Sequence, residues 1–275
     1  MQEKYSVLMS VYYKENPLFF KQSLDSMIFQ SVSPDEIVLI CDGDLTDELN
    51  SILVDYQKKY TNLFNIIRLE KNSGLGYALK LGVESCKNEY IARMDTDDIS
   101  KKDRCEKELR VFLKNPEIGI VGSNIEELND GKIELIRKVP ESDIEIKKYL
   151  KKRSPFNHSS IMFKKTEVLK AGNYRAVRFI QDYFLWVDML CNGTIGYNIQ
   201  ENLVSMRVDN SFYRRRSGKE YFLIQKKLLS YMKDKKIINN LEYIIYLSFR
   251  KISSVLPNSL RKLIFKKVLR RKVVC

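Results

Sequence analysis

The chain has 275 residues, 44% hydrophobic and 11% aromatic, which is enough apolar material for a sizeable core and excludes a disordered chain. Its net charge of +13 is unevenly spread: residues 214–275 hold 18 Lys/Arg against Glu220, Asp234 and Glu242, or +15, so residues 1–213 net about −2. A near-neutral body with a basic end implies a polyanionic partner for that end.

Residues 5–11 (YSVLMSV) read as a buried strand, and Asn16-Pro17 opens a helix, with Asn as cap and Pro at the first helical position. Residues 36–41 form a second strand, and Thr46 caps a helix running through Tyr60. Residues 64–69 form a third strand, 74–86 a helix, 89–94 a fourth strand, 103–114 a helix and 118–122 a fifth strand. This alternation predicts an α/β fold, a Rossmann-like, mostly parallel sheet with helices on both faces. A hairpin follows around Asn129-Asp130-Gly131, then short strands at 159–163 and 195–199 flanking a helix at 182–191. Beyond Ser217 the pattern is helical and basic, so the domains are read as a catalytic body, 1–216, and a C-terminal basic amphipathic helical segment, 217–275.

The five cysteines are scattered without CxxC pairing and read as reduced thiols. Residues 5–13 are too short, and lack the basic leader, for a secretory signal. No stretch reaches the roughly 18–20 apolar residues of a spanning helix. The expected location is cytoplasmic, peripheral on the inner face of the membrane.

Ligands of parallel α/β sheets bind beyond the carboxyl ends of the strands. Tyr12 follows the first strand, Asp42-Gly43 the second, Asn72-Ser73-Gly74 the third and Asp95-Thr96-Asp97-Asp98 the fourth. Two carboxylates at i and i+2 beyond a strand suit one hard cation, Mg²⁺ or Mn²⁺, which bridges phosphate oxygens. The bland alternative is a solvated turn with Asp98 as a helix cap. Asp42 is either a uracil-imide acceptor or an ordinary Asp-Gly turn, and Gly74 either lets backbone approach a ligand or punctuates a helix start. Asp182 reads as an N-cap or as a general base that deprotonates a hydroxyl. His158, the only histidine, is a candidate metal or diphosphate contact. Arg214 and Arg215, with Arg216, are solvated charge or a loop that neutralises a leaving diphosphate.

Taken in order, SVLMSVYYKENPLFFKQSLDSMIFQS, EIVLICDG, KNSGLGYALKLG, ARMDTDDIS and GNYR…QDYFLW resemble the family-2 inverting glycosyltransferases, and within them the bacterial group that builds capsular, exopolysaccharide and O-antigen repeat units. The resemblance covers about residues 4–216 and implies the GT-A fold. It implies that Tyr12 and Asp42 hold the nucleotide base, that Arg93 and Asp95 stand on the donor side, that Asp97 binds the metal and that Asp182 is the base. The family's usual Glu-Asp pair reads Gln181-Asp182 here. The implied reaction moves a sugar from a nucleotide-sugar, a UDP-sugar above all, to a glycan or polyprenyl-diphosphate-linked acceptor. A pyrophosphorylase or other nucleotidyltransferase is the rival enzyme, but YYKENP stands where its Gly-rich basic loop is expected. The rival of another class is a polyanion-binding protein acting through the basic end. That end lacks aromatic-studded sheet motifs and a zinc pattern, so no nucleic-acid partner is expected.

Residues 243–275 hold nine Lys/Arg and no acid. Leu260, Leu263, Ile264 and Val268 fall on one helical face, flanked by Arg261, Lys262 and Lys266. This predicts an interfacial helix on an anionic membrane. The alternative is a helix packed on the catalytic domain or on a partner subunit, as in a homodimer.

Overall fold

The structure is a computed structural model, and it describes residues 3–129, 131–208, 217–257, 260 and 270–272. Four parallel strands form one half of the sheet: β1 (Tyr5–Val11), β2 (Glu36–Cys41), β3 (Phe64–Arg68) and β4 (Tyr90–Arg93), in spatial order β3-β2-β1-β4. Alternate residues of β1 and β2 supply two different cores, as the two-residue period of a strand requires. Leu8, Val38 and Ile40 pack on one face; Val7, Met9, Ile37 and Leu39 pack on the other.

The connecting helices begin where local chemistry fixes them. α1 (Pro17–Ile28) starts on the Asn16 side chain, which accepts from the Leu18 and Phe19 amides at 2.9 and 3.2 Å. α2 (Asp47–Lys59) starts on Thr46 and carries acids in its first turn and lysines in its last, both favourable to the helix dipole. α3 (Leu75–Ser85) starts at Gly74, whose φ of +87° suits glycine.

The other half departs from the expected mostly parallel sheet and makes it a mixed one. After β5 (Ile99–Ser100) and α4 (Arg104–Lys114), the fifth major strand, β6 (Ile118–Asn129), does not join β4. The antiparallel β8 (Met162–Lys164) lies between them. The expected strand at 159–163 is instead a 3₁₀ turn, His158–Ser160, followed by β8. β7 (Lys132–Arg137) makes the expected hairpin with β6, β9 (Ile195–Arg207) runs parallel to β6, and β10 (Arg271–Lys272) pairs with β7. Buried Arg104 ties the two halves: its Nη2 donates to the Arg93 and Ile161 carbonyls, both at 2.9 Å, and its Nε pairs with buried Glu108 at 3.0 Å.

α5 (Asp143–Leu150), α6 (Lys165–Lys170) and α7 (Gln181–Cys191) complete the cover. Trp186 of α7 is fully buried, 5.4 Å edge-on from Phe156; its loss to Ala would cost about 3–5 kcal/mol. The segment 217–275 begins with α8 (Gly218–Asp234), whose Leu228, Leu229 and Met232 share the core of Leu8 and Trp186. Arg175 fastens α8 to α7, at 2.8 Å from Asp188 and stacked 4.2 Å over Tyr231. α9 (Asn240–Val255) packs Tyr243, Tyr246 and Leu247 on this core. Its opposite face exposes Leu241, Ile244, Ile245, Ile252 and Val255. Most of the helix expected around Leu260–Val268 lies outside the described residues. Cys41, Cys86 and Cys105 are buried free thiols and Cys191 is an exposed one.

Candidate active site

The strands of the parallel half end at one wall of a cleft of about 2010 Å³. That is about twice the upper end of the roughly 300–1,000 Å³ of a typical ligand pocket, room for more than one ligand. Tyr12, Asp42, Asn72, Gly74, Arg93, Asp95, Asp97, His158 and Asp182, nine residues drawn from six stretches of chain, all line it. Arg214 and Arg215 lie outside the described residues.

Asp42 is buried, and its two carboxylate oxygens accept from the Ser73 and Gly74 amides at 2.6 and 3.0 Å. The Asn72 side chain returns a bond to the Asp42 carbonyl at 3.2 Å. Asp42 thus holds the loop that opens α3, a positioning role beside the base contact expected of it. Gly43 makes that approach possible: with φ at +85°, any Cβ there would stand 2.6 Å from the Asn72 nitrogen. Tyr12 is partly exposed at the cleft edge.

Beyond β4, Asp95, Asp97 and Asp98 bring carboxylate oxygens within 4.8 Å of one another. Arg93 is buried and ion-paired with Asp95. Burial, then the charges of Asp95 and Glu15, push the Asp97 carboxyl up to about 7. Burial, then Asp97 and Asp95, push Asp98 well above the usual range. Asp98 is neither a cap nor solvated: Oδ1 accepts from the Arg207 amide at 2.9 Å, and Oδ2 is buried with no hydrogen-bond partner. Crowded acids whose charged forms are disfavoured, with an unanswered oxygen, fit a divalent cation. Asp95, Asp97 and Asp98 are the residues that would hold it.

His158, expected as a metal or diphosphate contact, stands apart from the three carboxylates, and its Nε2 lies 2.9 Å from the Tyr174 hydroxyl. Burial, then the Arg93 charge, drives its pKa well below the histidine range, so the ring is neutral at pH 7.

Asp182 is half-buried in the first turn of α7, and the cap is Ile180 rather than Asp182. Phe179 and Ile180 take φ of +62° and +41°, a costly conformation for such side chains, and turn the chain sharply into the helix start.

Several cleft residues escaped the sequence reading. Glu15 accepts from the Thr96 hydroxyl at 2.6 Å and adds negative charge to the cluster. Arg207 donates to the Asp97 carbonyl and stacks 4.2 Å over Phe19. Asp98 was legible as a third acid beside the pair; Glu15 and Arg207 reach the site from 81 and 110 residues away and carry no local signal.

Residues 6–171 match the profile of glycosyl transferase family 2. The chain belongs to that family. As a glycosyltransferase it is 40% identical, over 98% of its length and 97% of the relative's, to UDP-Gal:alpha-D-GlcNAc-diphosphoundecaprenol beta-1,3-galactosyltransferase of Escherichia coli. It is 31% identical, over 96% of its length and 98% of the relative's, to the amylovoran biosynthesis glycosyltransferase AmsE of Erwinia amylovora. The transferase fold is similar to that of mannosyltransferase PcManGT from Pyrobaculum calidifontis in complex with GDP-Man and Mn²⁺, with a TM-score of 0.62 at 14% identity, over 97% of this chain and 82% of that one. The pyrophosphorylase and polyanion-binding alternatives are set aside with this family membership.

Proposed function

We propose that this glycosyltransferase is an inverting enzyme that moves a hexosyl group from a UDP-sugar, with UDP-galactose the first candidate, to the sugar of a polyprenyl-diphosphate-linked acceptor in cell-surface polysaccharide assembly. The observation that carries the reading is that one large cleft holds both the Asp95–Asp97–Asp98 group and Asp182. The choice of donor and acceptor follows the end-to-end likeness to the E. coli galactosyltransferase.

In this reading Tyr12 and the Asp42–Gly74 loop hold the nucleoside, and Arg93 and Asp95 orient the donor. The carboxylate group takes Mn²⁺ or Mg²⁺, which supplies positive charge to a diphosphate. Asp182 accepts the proton of the acceptor hydroxyl as that oxygen bonds to the anomeric carbon. The attack comes from the face opposite the diphosphate, the bond from that carbon to the UDP oxygen breaks with its electron pair, and the configuration inverts. Arg207, outside the ligand set, keeps Asp97 and Asp98 in register through its own backbone and side-chain bonds. The family's first acid is Gln181 here, and it is buried, so Asp182 serves alone as base.

The enzyme works on the inner face of an anionic membrane. No helix among the described residues is long and apolar enough to cross one. The exposed stripe of α9 and the acid-free basic end supply the two components of interfacial binding.

The test is transfer from a panel of UDP- and GDP-sugars to GlcNAc-diphosphate on a short lipid, with and without EDTA, and with the product's anomeric configuration read by NMR. Inverted product from one UDP-hexose, abolished by EDTA, is expected. Retained configuration, or transfer with no lipid-diphosphate sugar preferred over free sugar, would overturn the reading.

A further inference from the structure

One wall of the cleft carries more positive charge than the donor chemistry uses. Arg153, which follows α5, Arg250 on α9 and Arg270 beside β10 reach it from three separate parts of the chain. Arg250 Nη2 donates to the Lys152 carbonyl at 2.7 Å, which fastens α9 to the backbone beside Arg153. Arg270 forms a nearly buried ion pair with Glu127. Burial pulls the Arg153 pKa down, and the charges of Arg270 and Arg250 pull it the same way, so Arg153 stands within the field of both. Among the described residues, Glu127 answers one of the three charges. Glu242, the only acid of α9, is held by Lys151 at 3.0 Å. Like charges gathered at a partly buried wall cost free energy that a bound anion relieves.

The wall adjoins the Asp182 end of the cleft. Tyr183, the residue after Asp182, has its ionisation raised by burial, and Arg250, Arg153 and Asp182 all act on its hydroxyl. Asp182 and the three arginines line the same cleft, so an acceptor whose sugar hydroxyl faces Asp182 has its anionic end in a cleft that carries those guanidinium groups. Guanidinium forks match phosphate oxygens bidentately. Immediately beside the charges is apolar surface: Phe249 lines the cleft and is 66% exposed, and the stripe of Leu241, Ile244, Ile245, Ile252 and Val255 continues along the outer side of α9. A charged wall against an apolar helix is the surface of a site for an amphiphile with an anionic head.

We propose that Arg153, Arg250 and Arg270 bind the diphosphate of a prenyl-diphosphate-linked acceptor, with the prenyl chain leaving along α9 into the bilayer. The proposal rests on the acceptor being lipid-linked. It makes α9 both membrane contact and part of the acceptor site, and it sets the acceptor hydroxyl one sugar away from the arginines.

The test uses the full chain saturated with UDP and Mn²⁺, so that the donor site is filled, and titrates farnesyl diphosphate by calorimetry, with farnesol and inorganic pyrophosphate as comparators. Wild type should bind farnesyl diphosphate more tightly than either. The variant Arg153→Gln/Arg250→Gln should lose at least about tenfold in that affinity, the effect of deleting charge-assisted bonds, with UDP affinity unchanged. If that variant melts early, Arg153→Lys/Arg250→Lys carries the test, keeping charge but not the fork, and should show an intermediate loss. Unchanged farnesyl diphosphate affinity in a folded variant would overturn the proposal. An equal loss of UDP affinity would overturn it too, because the arginines would then serve the donor. Failure of the functional reading looks different: no transfer from any nucleotide-sugar, while farnesyl diphosphate still binds through the arginines.

Discussion

His158 Nε2 and the Tyr174 hydroxyl lie 2.9 Å apart beneath the cleft, where the imidazole also meets Trp186 edge-on at 6.0 Å. Burial holds the Tyr174 ionisation far above its ordinary value, so the phenol keeps its proton beside the neutral ring, and the tautomer of His158 sets which of the two donates.

A pH dependence of stability follows. The folded His158 pKa is depressed, whereas the unfolded value is about 6.5. Below that pH the unfolded chain takes up a proton that the folded chain refuses, so stability falls as pH drops, by up to about 1.4 kcal/mol per pH unit for this one group. Asp97 and Asp98, whose carboxyls are pushed up, act with the opposite sign over the same range, so the group is read by difference: in thermal melts between pH 7 and 5, His158→Gln should lose less stability, or gain more, on acidification than wild type. An unchanged slope in the variant would mean that other groups carry it.

Asp97→Asn separates metal binding from folding. The substitution removes a half-buried charge that its neighbours disfavour, so the melting temperature should hold or rise. Transfer should fall by two or more orders of magnitude, roughly the loss of one key electrostatic contribution, because an amide is a poor ligand for Mn²⁺ or Mg²⁺. Calorimetry with Mn²⁺ should record the weakened binding. Normal turnover by Asp97→Asn would remove it from the ligand set.

Asp182→Asn keeps the shape of the first turn of α7 and removes the proposed base. Turnover should drop by about 10²- to 10⁴-fold, the usual contribution of general base catalysis. UDP binding should be untouched, since the donor residues lie at the strand ends. A variant that loses UDP binding, or that transfers normally, would make Asp182 a structural residue of the helix start.

The parallel half of the fold was legible because its signals are local. Buried strands, Asn16 and Thr46 caps and polar residues just past each strand are all read within a few positions, and those residues share one cleft. The mixed half was not, because it rests on distant pairings. β8 is three residues long and enters the sheet through Tyr90↔Lys164, a separation no short pattern announces. The cap alternative for Asp182 misplaced the helix start, because positive φ at Phe179 and Ile180 has no signature in residues that so rarely adopt it. The cap alternative for Asp98 failed because its partner comes from β9, which delivers the Arg207 amide to it from 109 residues away. The arginine wall, assembled from residues 153, 250 and 270, was invisible for the same reason.

Membrane docking is the prediction with the widest consequence. Leu241, Ile244, Ile245, Ile252 and Val255 recur at helical spacing on one side of α9 and are all exposed, while Tyr243, Tyr246 and Leu247 face the protein. The alternative of a helix packed on the catalytic domain therefore accounts for one side of α9 and leaves the other bare. Nine basic residues and no acid follow Glu242, so the end of the chain favours an anionic surface. Each Lys or Arg near such a surface contributes about 1 kcal/mol, and burial of apolar area adds about 25 cal/mol per Å², so a few of each give reversible binding. Full-length protein should sediment with vesicles containing anionic lipid, release in high salt and stay in solution with neutral vesicles. Ile244→Ser/Ile252→Ser leaves the charge intact and removes apolar contact at two exposed positions, so it should weaken binding about tenfold or more without lowering the melting temperature. Sedimentation of this variant equal to wild type would exclude α9 as the docking element, and equal binding to neutral vesicles would exclude the electrostatic part.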